Sequence, residues 1–185
     1  MKKIIEIFDT FESQGMVEYQ MNYKKNGVNF IGRGSDNNGV VKTVEEIDDI
    51  KPLQGNCLTV AMSGSVMECF FQEEPFYSSY HIKILRPKYK LSKEQFLFYC
   101  TVIRKNKWKY SFGRQANKTI NDLMIPDLNE IPGWVNSYTY PKNINSNAEK
   151  NINVNLESEN WKYFCINDLF KVSASNDLLV KDYEE

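Results

Sequence analysis

One histidine, His81, serves all 185 residues, and the four cysteines, Cys57, Cys69, Cys100 and Cys165, stand far apart with no C-x-x-C pair. Zinc sites need clustered Cys/His ligands, and a disulfide scaffold is shorter and richer in cysteine, so the sequence predicts neither. The cysteines read as core or boundary thiols. His81, inside the alternating Tyr80-His81-Ile82-Lys83-Ile84, reads as a strand residue. A His-based triad would have to use His81, and no nucleophile-elbow sequence accompanies it. Long hydrophobic runs are missing too: no stretch approaches the roughly 18 apolar residues that span a bilayer. Glu6 and Asp9 interrupt the apolar start, and no small-residue cleavage site follows. The expectation is a soluble, cytoplasmic chain with no membrane partner.

Cofactor motifs are also wanting. Gly32–Gly39 reads G-x-G-x-x-x-x-G, which matches neither a dinucleotide fingerprint nor a phosphate-binding loop ending in Gly-Lys-Ser/Thr, and is better read as a turn at a strand end. No Glu-x-Lys or Asp-x-Lys follows Pro126-Asp127, so the usual metal-dependent nuclease core is not built there. A methyltransferase would need a glycine-rich cofactor motif and a Pro-Pro-Tyr-type loop. The sequence therefore predicts no catalytic residue, no cofactor and no metal.

What is present is charge, unevenly placed. Residues 81–120 carry eleven Lys/Arg against one acid, Glu94. Subtracting that block's +10 from the chain's −1 leaves −11 on the other 145 residues. Seven aromatics interleave with the basic side chains, among them Tyr89, Trp108 and Phe112. A concentrated positive field suits a polyanion, whose counterions it releases, although such a run also serves simply to solvate a helix.

Strand-like runs fill the first half. Val28–Ile31 precedes the turn-rich Gly32–Gly39, and Val40–Val44 resumes the extended pattern; Asn-Gly between β-branched residues marks a hairpin or bulge. Cys57–Met62, the turn Ser63-Gly64-Ser65 and Val66–Phe71 read as a second hairpin, and Tyr80–Leu85 as a further strand closed by Arg86-Pro87. Ser92 with Gln95 forms an S-x-x-Q capping box, after which Phe96, Tyr99 and Ile103 recur at helical spacing. Strands, then a helix, with no βαβ alternation, predict an α+β fold with a mixed or antiparallel sheet. Residues 136–160 are rich in asparagine and read as a polar linker. Hydrophobicity returns from Trp161, where Ile166-x-x-Leu169-Phe170 repeats Ile4-x-x-Ile7-Phe8 at an offset of 162. Domains are thus expected at 1–135 and, as the opening of a second repeat, at 161–185, a segment able to drive homodimerisation.

One stretch carries a resemblance. Lys107-Trp108-Lys109-Tyr110-Ser111-Phe112-Gly113-Arg114-Gln115-Ala116-Asn117-Lys118 leads to Leu123-Met124-Ile125-Pro126. With Gly27–Ile31 ahead of Asn38-Gly39, Gly55-x-x-Leu58-Thr59-Val60 ahead of Ser63-Gly64-Ser65, and Phe76–His81, it resembles a target recognition domain of type I restriction–modification specificity subunits and their type IIB/IIG relatives. Ile131-Pro132-Gly133-Trp134 and the Asn-rich linker, where type I subunits have a long helix, look more like the type IIB arrangement. The resemblance implies a DNA-binding specificity domain that directs a partner methyltransferase or restriction subunit on double-stranded DNA. Arg, Gln and Asn can make bidentate contacts to guanine or adenine, which makes Arg114, Gln115, Asn117 and Lys118 the leading contacts. Arg33, Lys107 and Lys109 are phosphate or base candidates, and Ser63 and Ser65 stand on a neighbouring turn. A helix-capping turn is the structural alternative for Gly113–Asn117. Two functional alternatives stay open: a small nuclease with an unfamiliar site, and a phage- or plasmid-borne decoy that binds a restriction complex.

Overall fold

A computed structural model of the chain describes residues 1–110, 116–117 and 119–138. Its frame is a four-stranded antiparallel sheet in the order β2 (Phe8–Glu12), β8 (Ile82–Pro87), β5 (Cys57–Ala61), β6 (Cys69–Gln72). A three-stranded sheet orders β4 (Val40–Val44), β3 (Tyr23–Ile31) and β7 (Phe76–Ser78). Its β3–β4 pair is antiparallel and its β3–β7 pair parallel, so the sheets are mixed, as an α+β fold was expected to be. Short β1 (Lys2–Lys3) pairs with β9 (Met124–Ile125), and Lys2–Asp127 at 3.0 Å and Lys3–Asp122 at 2.8 Å clip the N-terminus in place.

β5 is buried at every residue because it lies inside its sheet with both faces covered. Alternate side chains point to opposite faces. Leu58 and Val60 join Leu85, Phe71 and the helix α2 (Lys93–Lys105) in the main core, while Cys57 meets Ile31, Phe76 and Ile84 in a second one. Ser92 caps α2 with the expected box: its hydroxyl accepts from Gln95 N at 3.3 Å and its own N–H donates to Gln95 Oε1 at 3.0 Å. Phe96, Tyr99 and Ile103 are all buried. Phe71 stacks on Phe96 at 4.4 Å between centroids, and Phe8 meets Tyr99 edge-on at 5.3 Å. Short α1 (Ile4–Ile7) buries Ile4 and Ile7 in the same core, and α3 (Gly133–Ser137) packs on α2.

Both expected hairpins form. Ile31 pairs with Val40 across a turn in which Asn38 and Gly39 take φ of 55° and 77°, the left-handed region asparagine and glycine tolerate. Two readings need correction. The strand expected at Tyr80–Leu85 runs Ile82–Pro87, and His81 is not on a strand face: it is exposed at φ 61°, in the reversal that carries the chain from β7 into β8. α2 closes at Lys105, and a 3₁₀ turn over Lys107–Tyr110 follows. Met1–Thr139 group as one compact unit, in which Asn136 and Ser137, the start of the expected 136–160 linker, close α3; the linker beyond residue 138, the second-repeat reading and Cys165 lie outside the described residues.

Candidate nucleic-acid interface

The register of the strands sorts the loops onto two rims. Ala61 pairs with Ile82, Val60 with Cys69 and Lys83 with Glu12, so the Ser63–Ser65 turn, the Tyr80–His81 reversal and the end of β2 share one rim. Gly55, Glu73 and Arg86 share the other, where the Arg86 guanidinium donates to the carbonyls of Gln54 at 2.8 Å and Gly55 at 3.3 Å. α2 runs from the second rim to the first. Lys93 meets Glu73 at 2.7 Å near its start, and Lys107 meets Glu68 at 2.9 Å just past its end.

Three sequence-distant segments are tied together on the Ser63 rim. Arg33 Nη1 donates to Ser63 Oγ at 3.0 Å, and Ser65 N donates to the Arg33 carbonyl at 3.1 Å. Gly64, at φ 71°, fits below: a Cβ there would sit 3.2 Å from the Arg33 Cβ. Ala116 N reaches the Met62 carbonyl at 3.4 Å, and Met62 N donates to the His81 carbonyl at 2.8 Å. Ala116 is buried, which leaves its exposed neighbour Asn117 beside the Ser63 turn. The structure thus brings together Arg33, Ser63, Ser65 and Asn117. Arg114, Gln115 and Lys118 lie outside the described residues.

The basic block does not form one patch. Lys88 pairs with Asp9 at 3.6 Å and Lys93 with Glu73, both away from the Ser63 rim. On the rim, Glu68 takes Lys107 at 2.9 Å and Arg104 at 3.4 Å, and Arg104 lies 4.6 Å from the Phe70 ring centroid. The buried Lys83 is paired with Glu12. Lys109 sits 5.5 Å from the ring centroid of the exposed Trp108. A cation already held by a carboxylate contributes less to a polyanion's field, so Lys107 is a weaker phosphate candidate than its sequence position implies.

Two side chains outside the sequence-based candidates complete the rim. Tyr19 and Tyr80, 83% and 54% exposed, line a cleft of about 640 Å³ together with Arg33, Gly34, Ser65 and Glu18. Tyr80 lay in the aromatic–Ser stretch that carried the resemblance; nothing in the sequence around Tyr19 marked it.

Elsewhere, burial pushes the Cys57 thiol up to about 11 and raises Cys69 well above its ordinary value, so neither offers a thiolate at neutral pH. The chain does hold one Asp-x-Lys triplet, Asp49-Ile50-Lys51. It precedes Pro126-Asp127, and it lies in a turn with Asp49 at φ 66°. Among the described residues no group of three or more His, Cys, Asp or Glu is placed to hold a metal ion. Among them, too, no helix is long and apolar enough to cross a membrane.

Loops of distant origin are thus gathered on one rim of the four-stranded antiparallel sheet. Residues 1–130 match the family described as the type I restriction modification DNA specificity domain, and the chain belongs to that family. It is similar to the specificity subunit S.BcgI of the type II restriction enzyme BgcI from Heyndrickxia coagulans, at 23% identity over 192 residues that take in 97% of this chain and 56% of that protein. The chain therefore spans about half the length of this curated relative. In fold it is similar to a chain in a structure of type I R-M system assembly and conformational transition, with TM-score 0.56, 18% identity, and 74% of this chain and 36% of that one covered. The HsdS subunit from Thermoanaerobacter tengcongensis gives TM-score 0.50 and 15% identity over 65% of this chain and 31% of that one.

Proposed function

We propose that this chain is a sequence-specific recognition domain for double-stranded DNA, and that it directs a partner methyltransferase or restriction subunit while performing no chemistry itself. The observation that carries this reading is the Ser63 rim, where Arg33 and Asn117, two side chains capable of base-edge contacts, stand on segments 84 positions apart in sequence. Membership of the specificity-domain family and the similarity to S.BcgI support it. Arg114, Gln115 and Lys118 are further proposed contacts, supported by the Lys107–Lys118 stretch that carries the family resemblance. Lys109 and Lys107 flank it as backbone contacts.

The reading is tested by producing the chain together with a methyltransferase subunit encoded beside it and mapping methylated positions in host DNA. A single recurring sequence motif, lost on Arg33→Ala plus Asn117→Ala while the two proteins still co-purify, is the expected outcome. Methylation that ignores those substitutions contradicts the reading.

We further propose that residues 161–185 open a second recognition repeat beyond the 136–160 linker, on the strength of the 162-residue offset. Deleting 156–185 then leaves residues 1–135 folded, and more monomeric if the segment mediates pairing of copies. Unfolding of residues 1–135 on that deletion counts against the repeat.

A further inference from the structure

The cleft beside Arg33 is built for something other than a phosphate. Arg33 and Glu18 both line it, together with Tyr19 and Tyr80. An acid among the lining residues repels a phosphodiester, whereas a donor and an acceptor together suit a neutral ring with both kinds of edge. Gly34 lines it as well, and a Cβ there would meet nothing within 4 Å, so the space beside it is open. The Tyr80 ring is laid down on another glycine: Gly15 takes φ 68°, and a Cβ there would lie 2.7 Å from the ring. At about 640 Å³ the cleft falls in the range of roughly 300–1,000 Å³ usual for small-molecule sites.

We propose that this cleft receives one unpaired nucleobase, guanine in preference, with Tyr19 and Tyr80 as stacking surfaces, Arg33 donating to its O6/N7 edge and Glu18 accepting from its N–H groups. Arg33 keeps donors for this role because one guanidinium nitrogen serves Ser63. Thymine offers Glu18 a single N–H where guanine offers N1–H and the N2 amino group, and an abasic sugar offers no ring to stack. The inference rests on the DNA-reading function proposed above. An enzyme that modifies a base takes it out of the duplex stack, which leaves that base's former partner unpaired. A recognition domain that stacks an unpaired base on aromatic rings offsets part of the unstacking cost.

The test titrates the full chain with fluorescein-labelled duplexes of one sequence that differ at a single position: fully paired, bulged guanine, bulged thymine, or bulged abasic site. Anisotropy is expected to show the guanine bulge bound about tenfold more tightly than each of the others. Tyr19→Ala should bring the guanine bulge down to the level of the paired duplex, and Tyr19→Phe should keep the preference; Tyr19 is so exposed that neither change threatens the fold. Equal affinity for the guanine and abasic bulges would show that only DNA flexibility is sensed, and would overturn the proposal. So would a guanine preference that survives Tyr19→Ala. Binding to paired duplex with no bulge preference overturns the cleft assignment and leaves the DNA-reading function standing, whereas no binding to any duplex overturns both.

Discussion

Ser63 Oγ and the Ser65 backbone hold Arg33 from two sides, so the guanidinium reaches a ligand with part of its rotamer freedom already spent. Arg33→Ala is therefore expected to weaken target-duplex binding by about 1–3 kcal/mol, the range for one bidentate base contact. Ser63→Ala should cost less, because it loosens the arginine without removing it. If Ser63→Ala matches the loss of Arg33→Ala in the same anisotropy titration, Ser63 touches DNA itself. The Ser63–Ser65 turn was readable from residue type and order alone. The pairing of Lys107 with Glu68 was not, because Glu68 lies 39 positions away and nothing in the local sequence ties them. The left-handed His81 escaped for a related reason. Its neighbours alternate as a strand does, and the reversal is imposed by where β7 must end and β8 begin.

At the scale of elements, α2 was the most legible part of the chain, since its capping box and its 3.6-residue apolar spacing are local signals. Ile103 is fully buried where α2 meets the sheet, so Ile103→Ala should cost about 2–5 kcal/mol in urea unfolding. Tyr99, on the same face, donates its hydroxyl to the Pro126 carbonyl at 3.1 Å. Burial, with smaller contributions from Asp127 and Glu130, pushes its phenol up to about 12. The folded state thus favours the neutral phenol. This contribution is full below the ordinary value near 10 and is lost as pH climbs toward about 12. Tyr99→Phe should flatten the decline of the urea midpoint across that window, and an unchanged decline would show that other groups cause it. The parallel pairing of β3 with β7 was out of reach of sequence patterns, because it joins Asn29–Ile31 to Phe76–Ser78 with three strands, β4, β5 and β6, in between. Gly55 shows how a motif and its cause separate. It was noticed for its place ahead of Leu58, while the physical need is the close approach of Glu73, whose carbonyl would lie 2.1 Å from a Cβ.

For the whole molecule, the contiguous basic block of the sequence becomes two groups of cations. β8 leaves the Ser63 rim and α2 returns to it, so Arg86, Lys88 and Lys93 are carried to the far end and Arg104, Lys107 and Lys109 to the near one. Charge counted along the chain overstates the field at any one place, and under the proposed function the Ser63 rim works with a few well-held side chains more than with a broad positive surface. The α+β class was nonetheless legible, as strand runs followed by one capped helix. The claim that this rim reads sequence is tested most directly by incubating the full chain with a library of randomised duplexes at fixed salt, recovering the bound fraction and sequencing it over several rounds. The account predicts enrichment of one motif, with Arg33→Ala relaxing the preference at particular positions within it. A bound pool as random as the starting library, at a salt concentration where the chain still binds, would contradict it.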